Sequence, residues 1–81
     1  MSSRIKVVAP DRGRAFVLAG LLAGYGAEVS AENGDQTAVQ VDTTAESDVS
    51  VILTVIEDWL RDEDVREARV EIGKNAYTMS G

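Results

Sequence analysis

AEVSAENGDQTAVQVD, residues 27–42, holds the decision about the fold. Two runs rich in Val, Ala and Thr flank a cluster of turn formers, the pattern of an antiparallel hairpin. The turn itself has two readings. A two-residue Asn33-Gly34 turn would oppose Glu32 to Asp35 and Val29 to Ala38, and would set Val39 on the face of Glu28. A three-residue loop, Glu32-Asn33-Gly34, opposes Ala31 to Asp35 and Val29 to Thr37. Ala27, Val29, Val39 and Val41 then share one side. Because a slip of one residue inverts a strand, the sequence predicts the three-residue loop, with Gly34 in the left-handed conformation.

Upstream, RIKVVA (4–9) reads as a strand that closes at Ala9, since a residue before proline is held extended. Asp11 then caps a helix running to about Tyr25, and Gly26 ends it. Leu18, Leu21, Leu22 and Tyr25 form one face of that helix, with Val17 at its edge. Ala15, Ala19 and Ala23 form a second, smooth strip with Phe16 projecting beside it. Gly20 and Gly24 lie next to the strip. An interior glycine costs a helix about 1 kcal/mol against alanine, so close approach by another element is the expected compensation.

Downstream, Thr43 and Glu46 make a capping box for a helix that runs to about Arg61. Val49, Ile52, Leu53, Ile56 and Leu60 form its core stripe, flanked by Val55 and Trp59. A loop is expected near Asp62-Glu63-Asp64. VREARVEI (65–72) alternates with Ala68, Val70 and Ile72 on one face. A short fifth strand, Ala76–Met79, folds back through Gly73-Lys74-Asn75, with Tyr77 opposite Ile72 and Met79 opposite Val70. The order is β-α-β-β-α-β. Two right-handed βαβ halves joined by a hairpin predict a ferredoxin-like α+β sandwich, with a four-stranded antiparallel sheet, two helices on one face and a short fifth C-terminal strand. Residues 1–81 form a single domain.

Composition narrows the chemistry. The 81 residues include no Cys and no His, which removes disulfides, thiolate nucleophiles, Cys/His metal sites and histidine acid–base catalysis. The net charge is −6. Residues 1–40 carry four basic and four acidic side chains, whereas residues 41–81 carry four basic and ten acidic. Such a surface repels phosphate backbones and anionic membranes, so neither nucleic acid nor membrane is an expected partner. The run AFVLAGLLAGYG (15–26) falls short of the ~20 apolar residues a spanning helix needs, and a cytoplasmic chain is expected. RNA-reading sheets stack bases on aromatic residues, and residues 4–9 and 36–42 contain none.

The carboxylates do not assemble a catalytic or metal motif. Glu57-Asp58 and Asp62-Glu63-Asp64 lack the spacing of a calcium loop, and Gly73-Lys74-Asn75 lacks the rest of a phosphate loop. Acylphosphatases share the fold and use an Arg in the first strand–helix loop with an Asn from a later strand. Their longer glycine-rich loop is absent here, Arg14 is the nearest counterpart, and no Asn lies on the third strand. No catalytic residue, cofactor or metal is therefore assigned, and the chain is not expected to be an enzyme.

What remains is VVAPDRGRAF (7–16). A helix N-terminus exposes unpaired N–H groups and a partial positive charge, which suit a carboxylate or phosphate. Asp11, Arg12, Gly13 and Arg14 are the candidate ligand-binding residues. The same turn also reads as punctuation: Pro10 ends the strand, Asp11 caps the helix, and a bonded Asp competes with an incoming carboxylate. VVAPDRGRAFVLAGLLAGYGAEVSAE (7–32) resembles the first strand, helix and second strand of an ACT domain. That pattern runs strand, Asp-Arg-Pro-Gly, Ala/Leu helix, glycine, then a strand beginning near Val. Asp11, Arg12 and Gly13 match its Asp, Arg and Gly. The Pro between Arg and Gly is missing, so the loop is one residue shorter.

The resemblance implies that this loop lies at a homodimer interface and contacts an amino-acid effector. WLRDEDVREARVEIGKNAYTM (59–79) is similar to the helix–hairpin ending of small effector-associated proteins from bacterial conflict systems, which implies an accessory protein. The expected function is a regulatory or binding module that self-associates through Phe16, Gly20 and Gly24 and takes an amino-acid-like ligand at Asp11–Arg14. The alternative is a protein-interaction module that meets a basic partner with its acidic half, at Asp62, Glu63 and Asp64.

Overall fold

The computed structural model describes residues 3–32, 34, 36–43 and 46–80, the side chains of Ser3 and Glu46 excepted. Its elements are β1 (Ser3–Ala9), α1 (Arg12–Leu21), a 3-10 turn (Ala23–Tyr25), β2 (Glu28–Ala31), β3 (Thr37–Thr43), α2 (Glu46–Asp62), β4 (Glu67–Ile72) and β5 (Asn75–Ser80). The five strands form one sheet in the order β2-β3-β1-β4-β5, and each neighbouring pair is antiparallel. This is the ferredoxin-like arrangement with β5 added at one edge.

One face of the sheet is apolar because the strands alternate. Ile5, Val7 and Ala9 of β1, Val39 and Val41 of β3, and Ala68 and Val70 of β4 are buried in one cluster with residues of both helices. From α2 come Ile52, Ile56, Trp59 and Leu60, and from α1 come Ala15, Leu18 and Leu22. Both helices therefore cover the same face.

Both hairpins keep the expected faces and shift the expected register by two residues. In the first, Val29 opposes Val39 and Ala31 opposes Thr37, where Val29 had been expected opposite Thr37. The Glu32 N–H donates to the Gln36 carbonyl at 3.0 Å. The turn thus centres on Gly34, whose φ of +60° is the left-handed value expected of it. Asn33 and Asp35 lie outside the described residues. A two-residue shift costs no alternation, and it matches Val with Val. It also leaves Glu32 2.5 Å from Lys6 Nζ. In the second hairpin the turn is Gly73-Lys74, with Ile72 opposite Asn75, Val70 opposite Tyr77 and Ala68 opposite Met79. Gly73 has φ +59°, the requirement of a two-residue turn whose twist matches the strands. That tighter turn replaces the three-residue loop, and β5 is longer than expected at both ends.

Helix α1 departs more. It ends at Leu21, and the 3-10 turn carries the chain to Gly26, whose φ is +74°. Leu21, expected to share a face with Leu18 and Leu22, is 53% exposed while those two are buried. The core stripe is Ala15, Leu18 and Leu22, with Ala19 and Tyr25 partly buried. Nor do Gly20 and Gly24 serve a close approach inside the chain, since a Cβ at either would meet nothing within 4 Å.

Helix α2 follows its predicted stripe. The Glu46 half of the expected Thr43–Glu46 box rests on a side chain outside those described, and the Thr43 hydroxyl donates to Asp48 Oδ2 at 3.2 Å. At the other end the Val65 N–H reaches the Leu60 carbonyl at 2.8 Å, and the Asp64 N–H reaches Arg61 O at 3.3 Å. This is a Schellman close, with Leu60 and Val65 both buried and Asp64 in the left-handed position at φ +54°.

Candidate functional site

The turn between β1 and α1 is wired to the far end of α2. Asp11 caps α1 by accepting the Arg14 N–H at 2.8 Å on Oδ1, while its Oδ2 accepts Arg14 Nη1 at 2.5 Å. The Arg14 backbone N–H, and then its guanidinium, hold the Asp11 carboxyl below the ordinary carboxylate range. Arg14 Nε also donates to the Glu63 carbonyl at 2.9 Å, and the buried Trp59 donates its indole N–H to the Arg14 carbonyl at 3.0 Å. Arg14 is thus a clamp between the start of one helix and the end of the other. Two of the four candidate ligand residues, Asp11 and Arg14, are already partners of each other.

Arg12 is placed differently. Its side chain is exposed and lines two adjoining clefts, of about 450 and 210 Å³. Ala31 and Thr37 border both clefts, Gln36 closes the larger one and Phe16 the smaller. Gly13 is also exposed, and a Cβ there would meet Asp11 Oδ1 at 3.4 Å, an ordinary contact. Asp11 lines the larger cleft as well, so that cleft carries one acidic and one basic residue.

The candidate interaction residues separate into two groups. Phe16 is 56% exposed and stands with Val17 and Leu21 on the outer side of α1. Gly20 and Gly24 are exposed on the same side. No charged residue occurs between Arg14 and Glu28. Asp62 and Asp64 are exposed at the end of α2, whereas Glu63 is half-buried and gives its carbonyl to Arg14. Glu63 therefore belongs to the clamp as much as to the acidic surface.

Sequence reasoning did not find Gln36, Thr37 and Ala31 at the cleft, because their position depends on the hairpin register. It also missed a second cavity of about 420 Å³ between α2 and the β4–β5 hairpin, lined by Leu53, Val70, Ile72, Tyr77 and Met79. The alternation that put Tyr77 and Met79 on the core face was its available signal. Among the described residues no group of three acidic side chains is placed to hold a metal ion. No helix among them is long and apolar enough to cross a membrane.

No family model and no curated protein matches the chain. A solved structure of a phage SAM lyase in complex with S-methyl-5'-thioadenosine is similar to it with a TM-score of 0.53 and 13% sequence identity, over 99% of this chain and 89% of that one. At that identity the likeness concerns the fold.

Proposed function

We propose that the chain is a small binding module that self-associates through the outer face of α1 and takes a small amino-acid-like ligand in the cleft beside Arg12. The observation that carries self-association is the outward set Phe16, Val17 and Leu21 on one short helix. Clustered apolar side chains on a surface mark an interaction site.

A second copy fits this face on two counts. A two-fold contact brings the same patch of both chains together, so the patch must complement itself. Here bulky side chains and the open positions of Gly20 and Gly24 lie side by side. In a chain of charge −6, an uncharged face also lets two copies meet without like-charge repulsion. Sedimentation equilibrium at ~100 μM, a range in which micromolar contacts are populated, is expected to give a mass above one chain. Leu21→Glu should lower that mass while leaving the thermal melt in place. A single-chain mass for the unaltered protein rejects the reading.

Arg12 supports the ligand clause, since its guanidinium can grip a carboxylate with two parallel bonds. The ligand panel for an NMR titration at millimolar concentration includes the amino acids and, on the strength of the lyase's bound molecule, S-methyl-5'-thioadenosine. Shifts at Arg12, Gly13 and Thr37 that Arg12→Ala abolishes are the expected result. A panel that moves none of these amides removes the clause.

A further inference from the structure

Strand β5 is the last in the sheet order, so among the described residues one of its edges faces no strand. The Gly73-Lys74 turn decides which groups lie on that edge. A two-residue turn closes on a hydrogen-bonded pair, here Ile72 and Asn75. Hydrogen-bonded and non-hydrogen-bonded pairs then alternate along the ladder. Asn75, Tyr77 and Met79 therefore spend their N–H and C=O groups on β4, and Ala76, Thr78 and Ser80 direct theirs outward. The usual guards of an open edge are charges, proline, bulges or brevity. Asn75–Ser80 has six residues, no charge and no proline, and it pairs with β4 without a bulge. The opposite edge, β2, has four residues and begins with Glu28.

The inner side of β5 is also incomplete. Tyr77 is 52% exposed, and with Met79 it walls the cavity of about 420 Å³ against Leu53 of α2.

We infer that β5 pairs antiparallel with β5 of a second copy, centred on Thr78. The strand's own sequence selects that occupant. The register that uses all three outward residues opposes Ala76 to Ser80 of the other copy and Thr78 to its own counterpart, closing about six backbone hydrogen bonds by the antiparallel rule. In that register Tyr77 stands across from Met79 of the other copy, twice, at the closely spaced positions where side chains meet. Sulfur–aromatic contacts of this kind are favourable. Each copy thereby brings one aromatic and one thioether side chain to the open side of the other's cavity. The strand is its own complement in phase and in size, and its lack of charge suits a meeting of two chains that each carry −6. The two sheets become one.

This contact is separate from the α1 face and stands without it. Thr78→Pro removes one outward N–H and none of the bonds to β4, so the fold is expected to persist by thermal melt. In the Leu21→Glu background, where β5 is the one contact left, the substitution should halve the mass in sedimentation equilibrium, and an unchanged mass overturns the proposal. Leu21→Glu in parallel judges the α1 reading alone. Because the chain has no Cys, single cysteines test the register. Thr78→Cys should cross-link with its counterpart under a mild oxidant, whereas Ala76→Cys should not, its counterpart lying about 14 Å away at ~3.4 Å per residue. Absence of cross-linking at position 78, or equal cross-linking at both positions, overturns the pairing.

Discussion

The two helices lie on the same face of one sheet and treat their apolar residues differently. Helix α2 turns Ile52, Ile56, Trp59 and Leu60 inward and shows Glu57, Asp58 and Asp62 to solvent, with Val51 a single apolar residue among them. Helix α1 turns Ala15, Leu18 and Leu22 inward and shows Phe16, Val17 and Leu21 to solvent. An apolar stripe of one width says where a helix meets its own sheet. Apolar residues on two sides leave a second face that the chain's own sheet does not cover. The contrast places the stabilising work of this chain in α2 and leaves a large part of α1 available for contacts between chains.

The largest effect expected from that contrast is at Trp59. Trp59→Ala should cost about 3–5 kcal/mol, since it empties a large core position and removes the indole N–H that joins α2 to the Arg14 carbonyl. Phe16→Ala on α1, measured by urea unfolding at dilutions where the chain is a monomer, should stay within about 0.5 kcal/mol of the parent. Comparable losses at the two aromatics would break the comparison. Within α1 itself, Leu18→Ala should lose about 2–4 kcal/mol and Leu21→Ala far less. A reversed order would mean that the inward stripe is misassigned.

The helix ends sharpen it further. Gly26 has φ +74° and Asp64 φ +54°. The left-handed region costs a residue with a side chain roughly 1 kcal/mol relative to glycine. Asp64→Gly should therefore stabilise by about that amount and Gly26→Ala destabilise by as much, both read from chemical denaturation. The smallest effect concerns the joint between the helices. The Asp11 carboxyl is held below its ordinary range by Arg14, so the stability it contributes is complete above the unfolded value of about 3.9. It drains away as pH falls through the lower, folded value. Asp11→Asn should flatten the dependence of the urea midpoint on pH in the acid range, and a slope equal to the parent's would show that the joint plays no part in it.

The two hairpins explain what the sequence could and could not disclose. Alternation of Val29, Val39 and Val41, and of Tyr77 and Met79, identifies which side of each strand faces the helices. It says nothing about a shift of two residues, because such a shift returns every side chain to the same face. Both registers were displaced by that amount, and with the first went the identity of the cleft wall at Gln36 and Thr37. The stripe of α2 was legible because its outer side, Val51 apart, is polar. In α1, Leu21 and Leu22 are equally apolar, and periodicity has no polar side against which to choose. The clamp was hidden for another reason: Arg14 and Trp59 lie 45 positions apart, and nothing local links them.

Trp59 has one more consequence. It is the chain's single tryptophan, it is buried, and its indole is tied to the first turn of α1. Its fluorescence therefore comes from one environment, dry and hydrogen-bonded at a known point. The emission should move to longer wavelength when the domain opens, and it should respond to whatever settles beside Arg12. The protein carries its own optical gauge, seated at the junction where its two helices touch.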